Sequence, residues 1–133
     1  MSKRFVYMSA ACLAAAMVWL GTSAPTAQAI PPFKDAFYKE YVKADSDDPK
    51  DKAFAKAADA AKCDICHAGK NKKVRNDYGK AYGKFATKAD KGNAQKLTDA
   101  FKKAAKEHTV ADDTTSPTFG DKIADGKLPF EKK

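Results

Sequence analysis

The chain has 133 residues, of which 44% are hydrophobic and 32% charged, and its formal net charge is +8. At roughly 100–200 residues per domain, this length allows one domain. After residue 29, Leu, Ile, Val and Phe together number 15 of 104 residues, and the net charge is still +6. Such a composition is close to that of disordered chains. A large enzyme fold, a β-rich core and a multi-pass membrane protein are therefore excluded.

The first 29 residues have the pattern of a cleaved secretory signal peptide. Lys3 and Arg4 make a positive start, residues 5–20 are apolar and uncharged, and residues 27–29 fit the A-x-A cleavage pattern. The apolar run is at or below the length that spans a bilayer comfortably, and the alternative is an uncleaved membrane anchor. We expect cleavage after Ala29 and export to the periplasm or its equivalent, with no stable membrane insertion afterwards.

Cleavage changes the set of residues available for chemistry. All three methionines, the single tryptophan and one of the three cysteines lie within the first 29 residues. The mature domain, residues 30–133, therefore keeps two cysteines, two histidines and no methionine.

The mature chain has helical periodicity and no strand-like alternation longer than a few residues, which predicts an all-α fold of several short helices. Within residues 30–62, Phe33, Phe37 and Tyr41 lie on one helical face after a Pro-Pro pair. Asp48-Pro49 supplies an N-cap and a first-turn proline for a second, alanine-rich helix. That helix leads into Cys63, and a basic loop over residues 68–73 follows the motif around it.

Three more helices are predicted further along. One starts at Asn76, and its glycines 79 and 83 permit the close approach of another group. The most amphipathic helix runs over residues 94–108 and places His108 on its apolar stripe. The C-terminal extension, residues 109–133, begins with a polar stretch and contains a short helix over residues 118–125, with Gly126 as its stop.

One specific motif stands out: Cys63-Asp64-Ile65-Cys66-His67. The spacing C-x-x-C-H is that of covalent c-type haem attachment. Two thiols three residues apart can each add to a vinyl group of one porphyrin, and the next residue, His67, can present an imidazole nitrogen to the iron as proximal ligand. The cofactor expected is one covalent haem c.

Three other readings of the motif are weighed against haem. A structural zinc site needs four ligands, whereas the mature chain offers only Cys63, Cys66, His67 and the distant His108. A thioredoxin-like dithiol needs a preceding strand, which the pattern does not show. A Cys63–Cys66 disulfide closes a very small ring and stabilises little.

The chain resembles a small exported monohaem c-type cytochrome, on the strength of Cys63, Cys66 and His67. The segment Asn76-Asp77-Tyr78-Gly79 is similar to the Asn-x-aromatic-Gly stretch that follows the haem motif in several periplasmic cytochrome modules. The resemblance implies a cytochrome c-like fold around one haem, electron transfer by Fe(III)/Fe(II) cycling, and His67 as axial ligand.

The chain also departs from familiar patterns within that family. Mitochondrial-type cytochromes c place the motif near the mature N-terminus and use a downstream methionine as sixth ligand, whereas residues 30–62 precede Cys63 here and the mature chain has no methionine. The c′ type places the motif close to the C-terminus, but 66 residues follow His67.

His108 is the one remaining histidine and hence the first candidate for the sixth iron ligand. A histidine near a helix C-terminus is also favoured by the helix dipole, without any role at a metal. Tyr78, Tyr82 or a lysine is an alternative ligand, and an open or water-bound sixth position is another. Tyr78, Tyr82 and Phe85 share a helical face and are expected to pack against the haem.

Two functions from different classes remain. The first is an electron carrier and not an enzyme. The basic residues near the motif, Lys62, Lys70, Lys72, Lys73 and Arg75, would attract acidic redox-partner proteins. Export argues against nucleic acid as the partner of this basic chain. The second is a haem enzyme or gas-binding module, peroxidase-like or nitric-oxide-binding, with an open sixth position. The composition further predicts that the fold depends on its haem.

Overall fold

Side-chain caps and prolines set the beginnings of the helices. The computed structural model describes residues 31–69 and 72–131; the predicted signal peptide and Lys70 lie outside this part of the chain. The five α-helices of these residues are α1 (Pro31–Tyr41), α2 (Pro49–Ala61), α3 (Asp77–Gly83), α4 (Ala94–Ala105) and α5 (Phe119–Ala124). Short 3-10 helices follow α2 at Lys62–Ile65 and precede α4 at Lys88–Gly92. Residues 31–69 and 72–131 contain no β-strand, so the all-α prediction is confirmed for this part of the chain.

The predicted caps are present. The Asp48 carboxylate accepts a hydrogen bond from the Lys50 amide at the start of α2, with Pro49 in the first turn. Asn76 caps α3 and Asn93 caps α4. Thr118 and Asp121 form a reciprocal capping box at the start of α5.

The predicted length of the amphipathic helix is wrong. Helix α4 ends at Ala105, so His108 does not lie on its apolar stripe. The chain turns away because the Thr109 amide donates to the Pro117 carbonyl at 2.9 Å, and the Phe119 amide donates to the Glu107 carbonyl at 3.0 Å. These tertiary hydrogen bonds outweigh a periodicity that continues to residue 108. Helix α3 likewise ends at Gly83, before Phe85.

Helices α1 and α4 cross at the centre of the core. Phe37 is 2% exposed and Phe101 1% exposed, and their rings pack edge to face with centroids 5.5 Å apart. The Tyr41 hydroxyl donates to the Phe101 carbonyl at 2.9 Å, which ties the end of α1 to α4. Helix α3 adds Tyr78 and Tyr82 to the same cluster, and α5 adds Phe119. Aromatic rings and small alanines therefore make up most of this core.

Within the described residues, no helix has the length and apolar character needed to cross a membrane.

Candidate functional site

A 3-10 turn directly after α2 carries the C-x-x-C-H motif. The turn covers Lys62–Ile65, and the amide of His67 donates to the Cys63 carbonyl at 3.1 Å. Ile65 points inward and is 3% exposed, whereas both cysteines are half-buried free thiols. The local fold thus turns the apolar residue of the motif into the core and leaves the reactive side chains at the edge of a cleft.

Asn76 holds this turn to helix α3 with both ends of its side-chain amide. Its Nδ2 donates to the carbonyls of Asp64 at 2.8 Å and Ile65 at 3.0 Å, while its Oδ1 accepts from the Gly79 amide at 2.8 Å. Its backbone amide donates to the Cys66 carbonyl at 3.1 Å. The residue that starts α3 therefore also fixes the shape of the motif.

Gly79 lets helix α3 lie directly on the motif. A Cβ at this position would lie well inside 3.0 Å of the Cys66 carbonyl oxygen, a distance that real Cβ atoms essentially never show. The close approach predicted for Gly79 is thus confirmed, and its neighbour is the motif's own backbone. At Gly83 the neighbour is the guanidinium of Arg75.

We expect Asn76→Ala to destabilise the protein by about 2–4 kcal/mol, because it removes a helix cap and leaves two carbonyls of the motif without their donor. Asn93→Ala is the matched control, since Asn93 caps α4 through a single acceptor contact with the Lys96 amide. That control should cost about 1 kcal/mol. Urea unfolding of both variants measures the difference, and equal losses would show that Asn76 acts only as a cap.

The imidazole of His67 is oriented by the loop that follows it. Its Nδ1 lies 3.3 Å from the Val74 carbonyl oxygen, which can only accept, so Nδ1 carries the proton. The other nitrogen, Nε2, is then left with its lone pair. Partial burial lowers the pKa of His67, against an opposing contribution from the Val74 hydrogen bond, and the charges of Lys72 and Arg75 lower it further. A neutral imidazole with Nε2 available is the form that binds a metal.

The two thiols and the imidazole border one cavity of about 140 Å³. Most of the remaining lining is aromatic or aliphatic and comes from three helices and the motif itself: Phe33, Phe37, Tyr38, Ile65, Tyr82 and Phe101. Tyr82 stacks on Phe101 with ring centroids 4.1 Å apart, and Phe33 packs edge-on against Tyr82. The cleft is therefore largely apolar inside, and two thiols and an imidazole belong to its lining.

Two polar groups of this cleft, the half-buried Cys66 thiol and the buried Tyr82 hydroxyl, are uncharged at neutral pH. Burial raises the pKa of the Cys66 thiol to about 12, so the sulfur stays protonated rather than a thiolate. Burial also raises the pKa of Tyr82. The Tyr82 hydroxyl is buried and makes no hydrogen bond within the described residues. A buried hydroxyl without a partner is costly, and the Tyr78 hydroxyl, which does not line this cleft, also makes no hydrogen bond among the described residues.

The mouth of the cleft is basic. Lys34, Lys62, Arg75 and Lys88 belong to its lining, and none of the described acidic residues does. Of the basic residues singled out from the sequence, Lys62 and Arg75 are therefore at the cleft, whereas Lys72 pairs with Asp64 at 3.0 Å. The sequence did not indicate that Lys34 and Lys88 belong to the cleft, because only the packing of α1 and of Lys88–Gly92 brings them there.

The remaining sequence-predicted site residues lie elsewhere. Tyr78 is fully buried between the rings of Phe37, Phe101 and Phe119 and does not line the cleft. Phe85 is half-buried, with the Lys103 ammonium 6.0 Å from its ring centre. Their contact with a haem stays a prediction.

His108 is also outside the lining of the cleft. Its Nδ1 donates to the Ser116 carbonyl at 2.6 Å, and its backbone pairs with Thr118 in an isolated bridge. These contacts hold it in the C-terminal segment. Across the described part of the chain, no three His, Cys, Asp or Glu side chains converge as a metal site would require.

Comparisons with protein-family models, with curated proteins and with solved structures found no match to this chain.

Proposed function

We propose that this protein is an exported monohaem c-type cytochrome that carries electrons between protein partners. The observation that carries the proposal is the cleft in which Cys63, Cys66 and His67 meet an apolar, aromatic lining. A C-x-x-C-H sequence alone is only a pattern of residue types. In this cleft, two thiols, an imidazole and a nonpolar surface lie together, as binding of a porphyrin would require.

The residues fit such a group in three ways. The hydrogen bond from Nδ1 of His67 to Val74 leaves Nε2 for the iron. Asn76 and Gly79 fix the backbone of the attachment turn against α3. The Tyr82 hydroxyl lacks an acceptor that a bound group could supply. When bound, the haem would supply one-electron exchange between Fe(III) and Fe(II).

The basic mouth of the cleft supports an acidic protein as the electron partner. Lys34, Lys62, Arg75 and Lys88 are exposed residues of the lining of the cleft that would hold the haem. Positive charge around such a cleft attracts a negatively charged surface and raises the association rate, with a strong dependence on salt.

A second candidate function, a gas-binding or peroxidase-like module, is favoured by the position of His108. Because Ser116 holds His108 outside the cleft, the described residues that could serve as the sixth iron ligand are lysines and tyrosines of the lining. Tyr38 already donates to Asp59 at 3.0 Å, and the raised pKa of Tyr82 makes it a poor anionic ligand. An iron left open at its sixth position would bind small molecules.

Expression with its own leader in a host that attaches haem in the periplasm tests both functions. We expect haem to stay with the polypeptide on a denaturing gel, and Cys63→Ser/Cys66→Ser to lose it. His67→Ala should abolish the native spectrum, whereas His108→Ala should leave it unchanged because the imidazole lies outside the cleft.

The spectrum of the wild-type protein then separates the candidates. A low-spin ferrous spectrum that does not respond to carbon monoxide supports the carrier, and a carbon monoxide adduct supports the gas-binding or peroxidase-like module. A low-spin spectrum lost in His108→Ala would establish His108 as the ligand, after rearrangement of residues 106–118. Protein exported without any covalent haem would overturn the proposal.

A further inference from the structure

Arg75 occupies an unusual place beside the motif. Its backbone pairs with that of His67 in an isolated antiparallel bridge, and its side chain lies in the cleft lining with Cys66 and Tyr82. The guanidinium rests against the end of helix α3 at Gly83, where a Cβ would lie well inside 3.0 Å of Nη1. The missing side chain of Gly83 thus makes room for the cation.

The charge of Arg75 is not neutralised by its neighbours. No ion pair joins it to an acidic residue in the described part of the chain, although Lys72 in the same loop pairs with Asp64. The backbone bridge to His67 and the shared lining with Cys66 place this charge directly beside the motif. Arginine stays charged at every pH of interest.

We propose that Arg75, whose guanidinium lies against Gly83, keeps a fixed positive charge beside the iron site. This charge raises the reduction potential of the iron. This inference rests on the proposed haem. Fe(III) carries one more positive charge than Fe(II), so a fixed nearby cation disfavours the oxidised state. Removing that cation should lower the potential.

Two changes remove the charge or move it. Arg75→Gln deletes the cation. Gly83→Ala keeps the cation and displaces it, because the obstructing atom is the end of a flexible side chain, and alanine is also the better helix former. Arg75→Lys retains a charge, and Lys106→Gln removes one from an exposed residue that lines neither the motif's cleft nor its mouth.

Redox titration of the purified holoproteins, followed by the haem absorption bands, gives the test. For Arg75→Gln we expect the ferric-to-ferrous ratio at a fixed applied potential to rise about tenfold, which is 59 mV for one electron. Gly83→Ala should shift in the same direction by a smaller amount, and Arg75→Lys and Lys106→Gln should stay close to the wild type.

Three results would overturn the inference while leaving the proposed function intact. They are an unchanged potential in Arg75→Gln, an equal shift in Lys106→Gln, and, should Arg75→Gln fail to mature, an unchanged potential in Gly83→Ala. A wild-type protein without covalent haem would instead overturn the proposed function, so the two failures are distinguishable.

Discussion

Gly79→Ala should destabilise the protein by about 3 kcal/mol, with a fall in Tm of at least about 10 °C for a domain of this size. An alanine in the interior of a helix ordinarily gains up to about 1 kcal/mol over glycine. Here the new Cβ would meet the Cys66 carbonyl oxygen and carbon, which are backbone atoms that cannot swing aside. Helix α3, the turn that carries the motif, or both must move.

Two other glycines provide matched controls. A Cβ at Gly92 would meet no atom within 4 Å, and Gly92 has no positive φ, so Gly92→Ala should change stability by less than about 0.5 kcal/mol. Gly83→Ala meets only the end of the Arg75 side chain, which a new Cβ can displace, and should also be mild. Thermal unfolding followed by circular dichroism ranks the three, and a Gly79→Ala protein as stable as the Gly92→Ala protein would contradict the packing described for α3.

The second large effect expected is loss of fold when the thiols are removed. Cys63→Ser/Cys66→Ser should be largely unfolded by far-ultraviolet circular dichroism at 25 °C. The physical reason is the core, in which the described cluster holds Leu97 and Ile65 as its large aliphatic residues and otherwise consists of aromatic rings and alanines. Small domains with little apolar surface to bury are marginal without a cofactor or cross-link.

Two variants that each keep one of the cysteines make this test more specific. Cys63→Ser and Cys66→Ser each leave one possible thioether, so each should retain more helix than the double variant if the haem supplies the missing core. Urea titration of all three against the wild type gives the ranking. A double variant with native helix content and a cooperative transition would show that the helices need no cofactor.

Local signals in the sequence predicted much of this fold. Asp48-Pro49, Asn76 and Thr118 begin their helices as expected, because a cap is a contact between residues two or three positions apart. Gly126, with a φ of 73°, follows α5 as its stop. Such features depend on nearby residues and can be read without knowing the tertiary structure.

The features that the sequence could not provide depend on distant residues. The end of α4 is set by hydrogen bonds from Phe119 and Thr109 to other parts of the chain. The amphipathic period therefore wrongly predicted that the helix extends to His108. Lys34 and Lys88 reach the cleft only through the packing of α1 with the residues before α4. The C-x-x-C-H spacing could be recognised because it is confined to five consecutive residues, and haem attachment to it stays a prediction.

The crossing of α1 and α4 has a consequence for assembly. The hydrogen bond from Tyr41 to Phe101 spans 60 residues, and closing a flexible loop of that length costs about 3–4 kcal/mol in chain entropy. The motif at Cys63–His67 lies between the two helices, and its cleft includes both Phe37 and Phe101. A rigid ring bonded to the motif would replace this long loop closure by two shorter ones, from α1 to the motif and from the motif to α4. Each helix would then pack against a ring that is already attached to the chain. Attachment of the proposed haem would then act on the order of folding as well as on its final stability.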